Sequence, residues 1–123
     1  MFDELFPIVV TSDLPRALGF YRDLLGATAT YQFPAEGDPA YVSLSIGGSH
    51  LGLARQDGLD APPNERVTLW LYATDCDAAV AHLRAAGVPV LEEPVDQPWG
   101  ERMATVTDPD GNRVIVAARA TTA

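Results

Sequence analysis

Apolar positions recur at helical spacing in two places along the chain, once in each half. One apolar stripe follows Asp13 and the other follows Asp75, about 62 residues later, so the pattern repeats at half the chain length. Each aspartate stands where an N-cap carboxylate accepts hydrogen bonds from the free backbone N–H groups of the first turn. Gly26 and Gly87 follow the stripes, where a left-handed residue commonly ends a helix. The sequence therefore predicts two amphipathic helices, each packed by one face.

Short apolar segments flank both helices and are typical of strands. We predict strands in the first half over 6–11, 41–46 and 50–54, and in the second half over 67–72, 88–93, 102–107 and 113–118. Gly47-Gly48 and the sequence DPDGN over 108–112 are expected to form tight turns. Residues 31–40, with two prolines and a glycine, are expected to form a loop.

The second half gives a strand, a helix and then three strands. The first half has one strand before its helix and two located after it, and we interpret it as the same βαβββ order because the pattern repeats. A first module is expected over residues 4–55 and a second over 66–119, joined by a polar, proline-rich linker over 56–65. A chain of 123 residues has room for one domain built from two such units. The predicted fold class is therefore α+β, with two βαβββ modules in a single domain.

The charge composition of the chain indicates which classes of binding partner to expect. The 17 acidic residues outnumber the 8 basic ones, for a net charge of −9, and the basic residues form no cluster. We therefore expect neither nucleic acid nor an anionic membrane as a partner. No apolar run approaches the roughly 18 residues of a membrane span, and the acidic start MFDELF is unlike a secretion signal, which favours a cytoplasmic location. The single cysteine, Cys76, excludes a disulfide framework and fits a buried structural thiol better than a nucleophile.

Three segments carry a resemblance to a known family: VVTSDLPRALGFYRDLLGA (9–27), LWLYATDCDAAVAHLRAAGV (69–88) and PWGERMATVTDPDGNRVIV (98–116). The chain resembles the vicinal oxygen chelate superfamily, which includes glyoxalases, bleomycin-resistance proteins and ring-cleaving dioxygenases. The resemblance implies that the two modules form a curled mixed sheet around a cavity. In small members of the family a second, identical chain often completes that cavity, so a homodimer is expected.

The resemblance also implies where a metal would bind. Metal-using members place two ligands in each module, one near the start of the first strand and one in the last strand. Those positions hold Phe6 and Gly52 in the first module, and Thr68 and Ile115 in the second. None of these side chains offers an imidazole, carboxylate or thiolate, and a shift of two residues is needed to reach even one histidine, His50. We therefore expect no metal, no other cofactor and none of the chemistry that the metal supports.

The same positions indicate which side of each strand faces the predicted cavity, because strand residues alternate between faces. The cavity side collects aromatic rings and few ionisable groups, which suits stacking on a flat ligand. The opposite side is aliphatic and suits packing under the helices. Trp99 lies in a loop that family members place at the cavity mouth, and Met103 offers an adaptable apolar wall. The candidate ligand-binding residues are Phe6, Tyr41, His50, Trp70, Tyr72, Trp99, Met103 and Ile115.

The sequence is also consistent with structural roles, without ligand contact, for the two tryptophans and for the histidine. Trp70 is flanked by aliphatic residues and also fits a core position, and Trp99 also fits a plug at the end of the sheet. A lone histidine in a strand, such as His50, is more often a hydrogen-bonded pocket or surface residue than a ligand.

Two functions are consistent with this pattern. In the first, a metal-free binding protein without catalytic residues sequesters an aromatic antibiotic or natural product in a dimer cavity, as bleomycin-resistance proteins do. A cationic ligand is favoured there by the charge of −9. In the second, a glyoxalase- or dioxygenase-type lyase or isomerase uses an atypical site. A regulatory module with a vestigial cavity is a third and weaker reading.

Overall fold

The computed structural model describes residues 1–63 and 66–119, and the chain divides into two compact units, Met1–Ala61 and Pro62–Ala123. The first unit contains β1 (Ile8–Thr11), α1 (Leu14–Leu18) with a π-helical turn (Gly19–Leu24), β2 (Thr28–Phe33), β3 (Tyr41–Ile46) and β4 (Ser49–Arg55). The second contains β5 (Leu69–Tyr72), α2 (Cys76–Ala85), β6 (Val90–Asp96), β7 (Arg102–Thr107) and β8 (Arg113–Ala118).

Within the described residues, each unit forms one four-stranded mixed sheet. The strand order is β1-β4-β3-β2 in the first unit and β5-β8-β7-β6 in the second. In both sheets the first strand of the unit runs parallel to the last, and the remaining neighbours are antiparallel. The predicted α+β class and the repeated βαβββ order are confirmed.

The helix boundaries follow from local capping chemistry. The Asp13 carboxylate accepts a hydrogen bond from the backbone N–H of Arg16 at 3.1 Å, and the Asp75 carboxylate accepts one from Ala78 at 3.0 Å. Gly87 follows α2 with a φ of +87°, in the left-handed region that favours glycine. The predicted N-caps and the glycine termination are confirmed.

The first helix differs from the prediction of one regular helix, because it widens into a π-helical turn after Leu18. The backbone N–H of Leu25 donates to the carbonyl of Phe20 at 3.0 Å across this wider turn. Both Phe20 and the adjacent Tyr21 are buried, with their rings edge to face at 4.8 Å. Consecutive residues of a regular α-helix point further apart, so the wider turn lets both rings reach the core.

One side of each sheet packs under the helix of its unit. Val42, Leu44 and Leu53 are buried in the first unit, and Val114 and Val116 in the second. Each such side chain contributes about 1.5–3 kcal/mol when it is removed from water. These residues have the parity that the sequence assigns to the helix side, and the alternate residues face away from it.

Several strand ends differ from the sequence prediction. Residues 31–33 belong to β2 and not to a loop, since Phe33 pairs with Tyr41 on β3. Strands β1 and β5 begin at Ile8 and Leu69, two residues later than predicted. Strand β6 is shifted to Val90–Asp96, because residues 88–89 are used to close α2 and to meet the end of β7.

No helix in the described part of the chain is long and apolar enough to cross a membrane.

Candidate ligand-binding faces

The side of the second sheet away from α2 carries most of the candidate residues, and we name it the second open face. Strand register aligns two rows of side chains across it. One row is Trp70, Ile115, Thr105 and Glu92, and the next is Tyr72, Ala117, Met103 and Val95. The rings of Trp70 and Tyr72 are 6.2 Å apart and remain 41% and 45% exposed. Two neighbouring rings on an uncovered face can accept a flat molecule.

An acidic group joins Trp99 to this face. The loop between β6 and β7 is closed by the backbone N–H of Gln97, which donates to the carbonyl of Glu101 at 2.7 Å. The indole N–H of Trp99 donates to the Glu101 carboxylate at 2.9 Å. A hydrogen bond between the Tyr72 hydroxyl and the same carboxylate, followed by burial, raises the pKa of that phenol. The Glu101 carboxylate therefore binds the Trp99 indole and interacts with the Tyr72 hydroxyl at one end of the second open face.

The exposed ring of Tyr72 also carries a positive charge. The guanidinium carbon of Arg119 lies 3.7 Å above the ring centroid, which is a close cation–π contact. Arg119 follows the end of β8 and continues the parity of Ile115 and Ala117. We call Tyr72, Glu101, Trp99 and Arg119 the Tyr72 cluster.

A second carboxylate lies on this face, in the other row. The hydroxyl of Thr105, which is buried, donates to the Glu92 carboxylate at 3.0 Å. Thr105 also separates Glu92 from Ile115 in the strand register. This hydrogen bond fixes the direction of a carboxylate that can accept from a ligand or from water.

The first sheet has a comparable open face, formed by Ile8 and Val10 on β1, alternate residues of β3 and β4, and two aromatic side chains of β2. Tyr41 lies across Gly52: a Cβ added to Gly52 would stand 2.5 Å from the phenol oxygen. Ser43 donates a hydrogen bond to that oxygen at 3.3 Å. Tyr31 and Phe33 are 55% and 60% exposed, and the Tyr31 ring lies 6.2 Å from that of Tyr41.

Two candidates of the first unit lie at the periphery. His50 pairs with Ser45 across β3 and β4, is exposed, and places Nε2 3.9 Å from a carboxylate oxygen of Glu4. Phe6 precedes β1 and is also exposed. The structure thus brings Trp70, Tyr72, Trp99, Met103 and Ile115 together in the second unit. In the first unit, His50 and Phe6 are not part of the ring contact between Tyr31 and Tyr41.

Sequence reasoning missed three residues of these faces. Tyr31 and Phe33 were overlooked because residues 31–40 predict a loop, although the alternation in TATYQF over 28–33 indicates a strand. Arg119 lies beyond the last predicted strand, which ends at residue 118. Its odd number, shared with Ile115 and Ala117, is the signal that places it on the open face.

The four positions at which the resemblance implies metal ligands do not fit a metal here. Phe6 and Thr68 lie outside the strands, Tyr41 fills the space above Gly52, and Ile115 is a hydrocarbon paired with Trp70. Across residues 1–63 and 66–119, no three His, Cys, Asp or Glu side chains are grouped in a way that could hold an ion. The donor set of these positions supplies no ligand that a divalent ion prefers.

Cys76 does not add a reactive group to either face. Its side chain is buried, and Sγ lies 3.4 Å from the carbonyl oxygen of Val116. Burial raises the pKa of the thiol, with a smaller contribution from Asp77, so the nucleophilic thiolate is disfavoured.

Comparison with known proteins agrees with this architecture. CFP32 of Mycobacterium tuberculosis, whose name assigns it provisionally to the glyoxylases, is 33% identical over 95 residues, which cover 77% of this chain. Those residues are only 36% of that protein, so the chain spans little more than a third of the curated relatives it matches.

Solved structures show the same fold. A lactoylglutathione lyase from Agrobacterium tumefaciens is 25% identical, with a TM-score of 0.70 over 94% of this chain and 92% of the other. TioX from Micromonospora sp. ML1 has a TM-score of 0.77 at 20% identity, covering 96% and 99% of the two chains, a likeness of fold alone. Residues 5–116 match the family described as Glyoxalase/Bleomycin resistance protein/Dioxygenase superfamily. The chain therefore belongs to the glyoxalase, bleomycin-resistance and dioxygenase superfamily.

Proposed function

We propose that this chain binds a flat aromatic small molecule without a metal and sequesters it unchanged. The observation that carries the proposal is the exposed pair Trp70 and Tyr72, side by side on the second open face. Stacking on such rings contributes about 0.5–1.5 kcal/mol per pair beyond the burial of area. Met103 and Ile115 lie in the same two rows and add apolar contact.

The charge of the chain supports a cationic ligand within this proposal. Its net charge of −9 attracts cations at long range and accelerates their association. Glu101 and Glu92 place two carboxylates on the second open face itself or at its end. An antibiotic or natural product that combines a planar ring with a positive charge fits both features.

Sequestration also requires that the ligand be enclosed, and we include a homodimer in the proposal for this reason. An open sheet face covers one side of a flat molecule, whereas tight small-molecule sites enclose most of the ligand surface. A second copy of the chain, as in small relatives, would supply the missing cover. Sedimentation with and without ligand tests this part separately.

Fluorescence titration tests the proposal. Both tryptophans lie in the second unit, so quenching by bleomycin and by other planar natural products reports binding there. We expect one equivalent per chain, loss of binding in Trp70→Ala, and unchanged binding in Val67→Ala, an exposed apolar residue outside the strands. Binding should persist in the presence of a chelator. Quenching that survives Trp70→Ala, or that disappears with the chelator, contradicts the proposal.

A metal-independent lyase or isomerase is the second candidate, favoured by Glu92. The hydrogen bond from Thr105 directs this carboxylate on the face that carries Trp70, where it can act as a general base. Chromatography with mass and NMR analysis of the ligand after long incubation separates the two candidates, because NMR also detects an isomer of equal mass. Conversion that is lost in Glu92→Gln while binding is retained favours the enzyme, and an unchanged ligand favours sequestration.

A further inference from the structure

The ring face of Tyr72 already holds a flat cation supplied by the chain itself. The guanidinium of Arg119 lies 3.7 Å above the ring centroid, and the Tyr72 hydroxyl interacts with the Glu101 carboxylate. Guanidinium is planar, delocalised and weakly hydrated, as are the amidinium and ring-nitrogen cations of many aromatic molecules. The contact therefore shows which chemistry this ring accepts.

Arg119 is placed so that it can leave this position. It lies one residue beyond the end of β8 and is exposed, so its side chain can rotate away without disturbing the sheet. Exposed cation–π contacts are weak, and their loss changes an equilibrium constant about two- to fivefold. A ligand that makes the same contact and adds stacking on Trp70 would displace the side chain.

We propose that Arg119 is an internal competitor that occupies, on Tyr72, the place of a flat cationic group of the ligand. This inference rests on the proposed binding of aromatic molecules to the second open face, and it deepens that function by naming the ligand class. The ligand is an aromatic ring system bearing an amidinium, guanidinium or ring-nitrogen cation. Tyr72 and Glu101 recognise the cation, and Trp70 stacks on the ring system.

The test uses two probes of the same shape, 2-naphthamidine, which is cationic at pH 7, and the neutral 2-naphthamide. Binding to the full chain is followed by the NMR signals of the Trp70 and Trp99 indole N–H groups and of the Arg119 side-chain N–H. We expect the cation to bind more tightly than the amide and to shift the Arg119 signal as that group is displaced. In Glu101→Gln the preference for the cation should fall.

Two arginine variants isolate the competition. Arg119→Ala should tighten binding of the cation about threefold, because the ring face is vacated. Arg113→Ala is the matched control, since it removes one positive charge from the same side of strand β8, at the end opposite the Tyr72 cluster. We expect a smaller change there, because Arg113 is four residues along β8 from Ala117, the strand partner of Tyr72.

The possible failures are distinguishable. If both probes shift the Trp70 signal with equal affinity, aromatic binding stands and the role of Arg119 is refuted. If Arg119→Ala weakens binding of the cation, or if Arg113→Ala has the same effect as Arg119→Ala, the competitor is refuted as well. If neither probe shifts Trp70, while both tryptophan signals remain those of the folded protein, the proposed binding face itself is wrong.

Discussion

The contact between Tyr41 and Gly52 gives a prediction whose sign can be worked out from the structure. A Cβ on residue 52 would stand 2.5 Å from the Tyr41 hydroxyl oxygen, 2.9 Å from Tyr41 Cε2 and 3.0 Å from Ile8 Cγ1. The φ angle of Gly52 is not in the left-handed region, so the backbone conformation does not strain an alanine at this position. The substitution Gly52→Ala therefore tests side-chain crowding without backbone strain.

Two effects of opposite sign determine the result. Alanine in a strand interior is favoured over glycine by about 0.5–1 kcal/mol, because it loses less backbone freedom on folding. Extra volume in a filled space costs about 1–3 kcal/mol. Gly52→Ala should therefore lower the free energy of unfolding by up to about 2.5 kcal/mol in the native sequence. In the Tyr41→Ala background the same change should cost less, because only the contact with Ile8 Cγ1 remains and the backbone gain of about 0.5–1 kcal/mol opposes it.

Urea unfolding followed by far-UV circular dichroism measures these differences. Tryptophan fluorescence is less suitable, because both tryptophans lie in the second unit and Gly52 lies in the first. The contact with Ile8 is present in both backgrounds and cancels from the comparison. Gly48→Ala serves as a control, since its added Cβ meets nothing within 4 Å. An equal cost of Gly52→Ala in the two backgrounds would falsify the placement of Tyr41 over Gly52.

Three further measurements probe the second unit. Asp75→Ala removes the N-cap of α2 and should cost about 1 kcal/mol in urea unfolding, and an unchanged midpoint contradicts the cap. Arg102 donates to both Asp77 carboxylate oxygens and thereby lowers the pKa of that group, so the unfolded chain binds more protons in the acidic range. The pair of Arg102 and Asp77 stabilises the fold above the ordinary aspartate pKa, and its contribution is lost as the pH falls through the lowered pKa of Asp77. Arg102→Gln should therefore reduce the difference in urea midpoint between pH 7 and pH 3. The Cys76 thiol should react with a disulfide reagent at pH 8 only after unfolding in urea, since burial raises its pKa, and rapid reaction of the native chain contradicts this.

Local signals in the sequence account for much of the fold. The caps at Asp13 and Asp75 depend on residues within three positions of each other, and the hairpin at Gly47-Gly48 depends on two adjacent residues. Alternation assigns Leu53 and Val116 to the buried side, because one face of each strand is apolar. Such features need no knowledge of distant contacts, and the structure has them as predicted.

Features decided by packing could not be predicted in the same way. The π-helical turn uses the same apolar residues as a regular helix would, and differs only in which carbonyl accepts each N–H. Its presence depends on room for Phe20 and Tyr21 in the core. Strand β2 lies at the edge of its sheet, so its last three residues lack the burial pattern that marks a central strand.

The candidate site shows the same division. Alternation along the strands, together with the metal positions that the resemblance implies, places Trp70, Tyr72 and Ile115 on the cavity side of their strands. The contact of Arg119 with Tyr72 requires the register of β5 against β8. This register pairs Tyr72 with Ala117, and residue 119, two positions further on the same side, then reaches the Tyr72 ring. Register depends on pairing between segments more than 40 residues apart, and local patterns do not specify it.

The two sheets depart from the metal-using pattern in different ways, and the difference bears on function. In the first sheet the position is a glycine whose space is filled by Tyr41, so a carboxylate at residue 52 would require that ring to move. In the second sheet the position is Ile115, which lies beside Trp70 in the register and contributes hydrocarbon to the open face. Protein metal sites use three or four donors, so no single substitution would create one at these positions. The same side chains need no change to contact the faces of a planar molecule. For this reason we propose ligand binding rather than metal-supported catalysis for this chain.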